Sequence, residues 1–169
     1  IKLLHAADLH LDSPFSGLSP EQARQRRHEQ RNLPRQLVEL ARSHGCDALL
    51  LVGDGPLRAD IERRVREAGL EDCVFFMGNI ADVADKMTAA DAMIFPSKYE
   101  GLPTVLLEAQ AAGLDAFVSD TITDEIALTG RIHPLALGAG AQAWAEAILR
   151  TKRAPNRAAD NAAIRQKYD

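Results

Sequence analysis

Three side chains suited to divalent-metal binding follow predicted buried strands. Asp8 and His10 come directly after the apolar run at residues 1–7, and Asp54 follows the run at 46–52. Carboxylates together with a neutral imidazole are suitable ligands for Mn²⁺ and similar ions. Because ligands bind at the carboxyl ends of parallel strands, the three side chains are expected in one crevice. The sequence allows a weak divalent-metal site there, with solvated polar residues at strand ends as the alternative.

A second candidate group lies at a predicted strand-to-helix junction. The segment Glu100-Gly101-Leu102-Pro103 follows a strand and opens a helix over 102–112. Free N–H groups and the positive end of a helix favour an anion such as a diphosphate, or an array of sugar hydroxyls. Gly101 lets a ligand approach the backbone closely. The alternative is structural: Glu100 stabilises the helix dipole, and Glu108, further along the helix, is a solvated residue.

Apolar strand-like runs alternate with amphipathic helical stretches along the whole chain. This pattern predicts an α/β fold, a three-layer Rossmann-like doubly wound parallel sheet of about six strands in the order 3-2-1-4-5-6. Gly53-Asp54-Gly55 is too short for a dinucleotide fingerprint and favours a tight turn before a helix. Asp115 and Asp124 are expected at the surface. The predicted strands are 1–7, 46–52, 73–77, 92–96, 116–119 and 135–137. A first, partial helix is predicted to start at Ser19-Pro20, and further helices are predicted over 33–43, 56–68, 81–89, 102–112, 141–150 and 157–168.

The first third of the chain resembles one known family. Residues 5–15, with Asp8 and His10, and the later pair Gly53-Asp54 are similar to the opening of calcineurin-like metallophosphoesterases, in particular the DNA-repair nuclease branch. That resemblance implies a two-metal site. Leu57 and Ile80 stand where the family needs an aspartate and a histidine, so the set is too incomplete for two-metal catalysis.

Residues from about 50 onward resemble a different family, the donor-binding domain of retaining GT-B glycosyltransferases. The matching segments are 51–57, 74–78, 89–91, 95–97 and 99–113. The resemblance implies that Glu100 faces the donor sugar, that Glu108 binds the nucleotide ribose, and that Gly55, Gly101, Leu102 and Pro103 line the site. It also implies an arginine and a lysine that neutralise the diphosphate, and the segment with Asp8 and His10 occupies their place.

The two resemblances meet near residues 49–54. They predict one Rossmann-like domain over 1–169, joined from a phosphoesterase-like segment, 1–54, and a glycosyltransferase-like segment, 50–169. On this interpretation the chain is an engineered chimeric scaffold, not an enzyme, which requires no cofactor. The alternatives are a module that binds a nucleotide-sugar or phosphate weakly, and a weak Mn²⁺ site at Asp8, His10 and Asp54.

Composition excludes several classes of function. The net charge of −4 gives no electrostatic footprint for nucleic acid. No apolar run approaches the roughly 18 residues of a membrane span. The two cysteines are expected as buried free thiols in a reducing cytoplasm. A cytoplasmic monomer without obligate partners is therefore expected.

Overall fold

The computed structural model describes residues 3–7, 19–22, 24, 48–151 and 164. These residues form a parallel sheet flanked by helices. The strands are β1 Leu3–Ala7, β2 Ala48–Val52, β3 Val74–Gly78, β4 Ala92–Phe95, β5 Asp115–Ser119 and β6 Ile132–Leu135. The helices are α1 Arg58–Glu67, α2 Val83–Ala89, α3 Thr104–Ala111 and α4 Gly140–Arg150, with short 3-10 turns at Asp124–Ile126 and Leu137–Ala139.

The strand order confirms the predicted doubly wound topology. The six strands run β3-β2-β1-β4-β5-β6, and every neighbouring pair is parallel. Strands β2 and β3 are added on one side of β1, and β4, β5 and β6 are then added on its other side. The switch point therefore lies between β1 and β4. The carboxyl ends of the strands beside that switch point form the crevice in which such folds bind ligands.

The middle strands are apolar on both faces because helices cover both. All residues of β4 and β5 are buried. Ile94 packs into a core with α1 and α4, whereas its neighbours Met93 and Phe95 pack into a second core with α2 and α3. This alternation produces the predicted three layers, since successive strand residues point to opposite faces.

Element boundaries differ from the predictions at two places that matter. The predicted helix over 102–112 begins at Thr104, because Pro103 takes an extended conformation with φ −74° and ψ 93°. The sixth strand is Ile132–Leu135 and not 135–137, so a proline lies within an edge strand, where it is tolerated. The predicted helices over 33–43 and 157–168 fall almost entirely outside the described residues.

The predicted helix start at Ser19-Pro20 is confirmed by a reciprocal capping pair. The backbone N–H of Gln22 donates to Ser19 Oγ at 3.3 Å, and the backbone N–H of Ser19 donates to Gln22 Oε1 at 3.2 Å. This is the capping box expected when a serine precedes a glutamine by three residues.

Candidate functional site

The candidate site lies where β4 ends and the chain turns into α3. The backbone leaves the sheet after Phe95, and Pro96 and Ser97 stay buried beneath the loop. Gly101 and Leu102 then come to the surface. The structure thus places the segment 100–103 at the carboxyl edge of the sheet, beside the switch point.

A serine holds the first glutamate of the site. Ser97 Oγ donates a hydrogen bond to Glu100 Oε1 at 2.7 Å, and Ser97 itself is 2% exposed. A hydrogen bond to a carboxylate is among the stronger ones because one partner is charged. The bond fixes the direction of the Glu100 carboxylate, whose side chain is half-buried at the mouth of the loop.

The amino end of α3 has no side-chain cap of its own. Pro103 is its N-cap residue and makes no side-chain cap, and the first turn contains no acid. The first N–H groups of an α-helix have no partner within the helix, and they carry the positive end of its dipole. In the described part of the chain this helix end is therefore suited to an external anion.

Glu108 lies one turn into α3 and is exposed to solvent. The structure places Glu100 and Glu108 on the loop and the helix of the same junction, as predicted. It shows no contact between the two carboxylates among the described residues. Their roles toward a ligand stay a prediction.

The junction after β2 is occupied by its own side chains. Gly53 has φ +108°, which confirms the predicted tight turn. Asp54 Oδ1 accepts a hydrogen bond from Gly55 N at 2.8 Å, and Asp54 Oδ2 lies 3.6 Å from Arg58 Nη1. Gly55 is half-buried at this turn, and no described contact links it to the segment 100–103.

The described residues do not fit a metal. Both Asp54 oxygens already face donors of their own junction. Asp8 and His10 lie outside the described residues. Across 48–151 and the shorter described stretches, no group of three or more metal-ligating side chains comes together.

Several buried polar groups were missed by the sequence analysis, among them Gln110 and Asp115. Gln110 is wholly buried in α3 and bonds to the segment 126–129. Asp115 was expected at the surface, but it is 8% exposed and bonds to His133 at 2.9 Å and Arg131 at 3.4 Å. The one available signal for Gln110 was a lone amide within an apolar helix. Asp115 gave no local signal, since its partners lie in or beside another strand.

Solved structures with a similar fold include proteins described as glycosyltransferases, among them an O-GlcNAc transferase and WaaG. TarM superposes with a TM-score of 0.73 at 16% identity, over 99% of this chain and 32% of that one. The pneumococcal O-GlcNAc transferase GtfA, solved with UDP and GlcNAc, gives a TM-score of 0.69 at 16% identity, over 97% and 32%. Anabaena HepE, solved with UDP, also gives 0.69 at 21% identity, over 99% and 44%. The fold is therefore the Rossmann-like α/β fold of GT-B glycosyltransferases.

Sequence comparison identifies the family itself. The model of the family described as Glycosyl transferases group 1 matches residues 23–153, which is most of the chain. The chain belongs to this family. The matched range includes residues 49–54, where the two segments were predicted to join.

Individual relatives agree with that assignment. EpsF of Bacillus subtilis is 43% identical over 103 residues, covering 60% of this chain and 27% of that protein. The 2-deoxystreptamine glucosyltransferase of Streptomyces kanamyceticus is 36% identical over 110 residues, covering 63% and 28%. This chain spans roughly a quarter of the length of these two relatives.

These findings correct the predicted function. The interpretation as an engineered scaffold without enzymatic function is wrong, because one glycosyltransferase family covers both sides of the proposed junction. The comparisons give no support to a phosphoesterase segment. Within the described residues, no helix is long and apolar enough to cross a membrane.

Proposed function

We propose that this chain is the donor-binding part of a glycosyltransferase that uses a nucleotide-sugar. The observation that carries the proposal is the β4–α3 junction, where an uncapped helix end lies beside a carboxylate oriented by Ser97. Membership of the glycosyl transferase group 1 family supplies the reaction class. Relatives solved with UDP support the ligand class.

The two parts of the junction suit the two parts of such a ligand. The first N–H groups of α3 offer donors and a positive dipole end to the diphosphate. Gly101 is exposed, and a Cβ built on it meets nothing within 4 Å, so the backbone is open to a ligand. Glu100 accepts hydrogen bonds from sugar hydroxyls, and Glu108 from the ribose, as the family resemblance implies.

Local charge limits the expected affinity. Arg58, the arginine at the neighbouring junction, is engaged with Asp54 and Glu62. The family resemblance implies an arginine and a lysine for the diphosphate, and the sequence offers Asp8 and His10 in that place. Carboxylates near a diphosphate oppose binding. We therefore expect weak donor binding by this chain, with Kd roughly between 0.1 and 1 mM, or −4 to −5.5 kcal/mol.

Glycosyl transfer requires a donor and an acceptor held in one geometry. Since the chain spans only about a quarter of its relatives, we assign to it the donor-binding step. Relatives such as the 2-deoxystreptamine glucosyltransferase are longer than the matched part, and we assign the complete transfer reaction to proteins of that length.

Calorimetric titration of the purified chain tests this proposal. The ligands are UDP, UDP-glucose, UDP-N-acetylglucosamine, GDP and GDP-mannose, with MnCl₂ alone as a separate titrant. We expect one nucleotide family to bind and Glu108→Ala to weaken it by roughly tenfold, the usual cost of a lost charged hydrogen bond. Glu71→Ala is the matched control, because Glu71 is an exposed acid that precedes β3 and so lies at the amino ends of the strands, away from the candidate site.

The outcomes separate the possibilities. Binding that both variants share equally would place the ligand away from α3 and overturn the site assignment. No binding by any nucleotide or nucleotide-sugar would overturn the donor-binding proposal. Binding of Mn²⁺, measured as heat on titration with MnCl₂ alone, would instead support the metal hypothesis. Asp54→Ala would then test whether Asp54 is a ligand.

A further inference from the structure

We propose that Ser119 and Thr121 are positioning residues that orient Glu100 through Ser97 and thereby set the contribution of the sugar to donor binding. This inference rests on the proposed function. Neither residue was singled out by its sequence pattern. Their roles follow from a run of hydroxyl groups that connects the end of β5 to the loop after β4.

The first link fixes the backbone of the loop. Ser119 Oγ donates to the carbonyl oxygen of Ser97, and Ser119 is fully buried. Thr121 Oγ1 lies 2.9 Å from Ser119 Oγ and 3.4 Å from the same carbonyl. Since Ser119 has one proton and gives it to the carbonyl, Thr121 donates to Ser119.

The position of that carbonyl explains why hydroxyl groups are needed. The β4–β5 ladder ends at the pair Phe95 and Val118. Ser97 lies beyond this pair, so its carbonyl has no ladder donor from β5. A buried carbonyl left unsatisfied is costly. The Ser119 hydroxyl takes the place of a backbone donor and holds the chain where it leaves the sheet.

The second link carries the constraint to the carboxylate. The same residue, Ser97, uses its side chain to donate to Glu100 Oε1 at 2.7 Å. With its carbonyl held by Ser119, Ser97 has little freedom to turn. The neighbouring strand β5 therefore contributes to the orientation of the Glu100 carboxylate, together with the loop, in which Ser97 Oγ also lies 3.4 Å from Tyr99 O.

This arrangement predicts a selective effect on ligands. The diphosphate binds to backbone N–H groups of α3, which do not depend on the direction of the Glu100 carboxylate. Sugar hydroxyls do depend on it, because hydrogen bonds weaken steeply with misalignment. Loss of the Ser119 or Thr121 hydroxyl is expected to weaken a nucleotide-sugar and to leave the bare nucleotide nearly unchanged.

The test compares, in each variant, Kd for the nucleoside diphosphate that the unmodified chain binds, UDP being the first one tried, with Kd for its preferred sugar conjugate. The variants are Ser119→Ala, Thr121→Val and the conservative Thr121→Ser. We expect Kd of the nucleotide divided by Kd of its sugar conjugate to fall roughly fivefold to tenfold in Ser119→Ala and in Thr121→Val. Thr121→Ser keeps the hydroxyl and is expected to restore the ratio. Thr88→Val is the matched control, since Thr88 Oγ1 also bonds a backbone carbonyl, that of Ala84, in α2.

Because each variant supplies its own nucleotide reference, a general loss of stability lowers both affinities and leaves the ratio unchanged. An unchanged ratio in Ser119→Ala and Thr121→Val would overturn the positioning role while leaving donor binding intact. A sugar that adds nothing to the nucleotide in the unmodified chain would overturn it too. If no nucleotide or nucleotide-sugar of either family binds the unmodified chain, the proposed function fails first, and this inference fails with it.

Discussion

The junctions after β2 and after β4 have the same layout and opposite chemistry. Each leads from the carboxyl end of a strand into a helix. At the first, Asp54 bonds Gly55 and faces Arg58, and Asp60 lies in the first turn of α1. At the second, the first turn of α3 has no acid and no side-chain cap. One helix start thus carries its own negative charge, and the other is open to a negative ligand.

The polar groups of the two helices also differ in depth. The ion pairs of α1, such as Arg63 with Glu67, lie at the surface, where water and salt screen them. In α3, Thr104 and Glu108 are exposed, but Gln110 is buried, and both its amide nitrogen and its oxygen are bonded. These bonds join the helix that bears the candidate site to the segment 126–129, whereas the pair Arg63–Glu67 joins two residues of α1 itself.

Replacing Gln110 should have the largest effect on stability. Gln110→Leu removes the buried amide that bonds Ile126 O, Leu128 N and Thr129 N. Ile126 O and Leu128 N keep their bond to each other, so Thr129 N is the backbone group that loses its partner. We expect the free energy of unfolding to fall by about 3 kcal/mol. Urea denaturation measures it. The control is Gln142→Leu on α4, where an exposed glutamine bonds only Glu146 and a change within about 0.5 kcal/mol is expected. Equal losses would contradict the contrast.

Two glycines at the same edge of the sheet should separate stability from binding. Gly78 has φ +63°, and a Cβ there would lie 3.2 Å from Arg58 Nη1. Gly78→Ala should therefore cost about 1–2 kcal/mol of unfolding free energy. Gly101 does not have a positive φ, and a Cβ built on it meets nothing within 4 Å. Gly101→Ala should therefore leave the melting temperature unchanged, but it should weaken UDP-sugar binding because the added methyl group occupies the space of the ligand. The reverse pattern would show that Gly101 serves the fold.

The smallest effect concerns the acid in the first turn of α1. A hydrogen bond from Arg63, followed by the charge of Arg64, holds the pKa of Asp60 below its usual 3.8. A lowered pKa stabilises the fold above the unfolded value, and this contribution is lost as the pH falls through the folded pKa, below about 3.8. NMR titration of the Asp60 carboxyl carbon should show that Arg63→Ala raises its pKa. An unchanged pKa would mean that the surface pair does not form in solution.

The fold could be predicted because its signal is local. Alternating apolar strands and amphipathic helices, with one wholly apolar run at 46–52, are sufficient for a doubly wound parallel sheet. The start of α3 was missed by two residues because Leu102 and Pro103 look helical, whereas Pro103 is extended. The sixth strand was misplaced because its sequence, with a histidine and a proline, has no clear apolar run.

The site could be predicted only in its local part. Glu100 and Gly101 were placed correctly at a helix entry, since that geometry depends on adjacent residues. The bond from Ser119 to Ser97 depends on the register of β4 against β5, which the sequence does not reveal. The junction predicted at residues 49–54 was wrong as a boundary between families, because a strand ending in Gly-Asp occurs in both and cannot distinguish them.

The most direct test adds a carboxylate at the start of each helix. Thr104 and Ala59 are both exposed in the first turns of α3 and α1. Aspartate is favourable at either position for helix stability, so a loss of binding would not reflect unfolding. Calorimetric titration with UDP should show that Thr104→Asp weakens binding at least about tenfold, or about 1.4 kcal/mol, while Ala59→Asp leaves it unchanged. Equal affinity in both variants, or a loss confined to Ala59→Asp, would contradict the assignment of the diphosphate to α3.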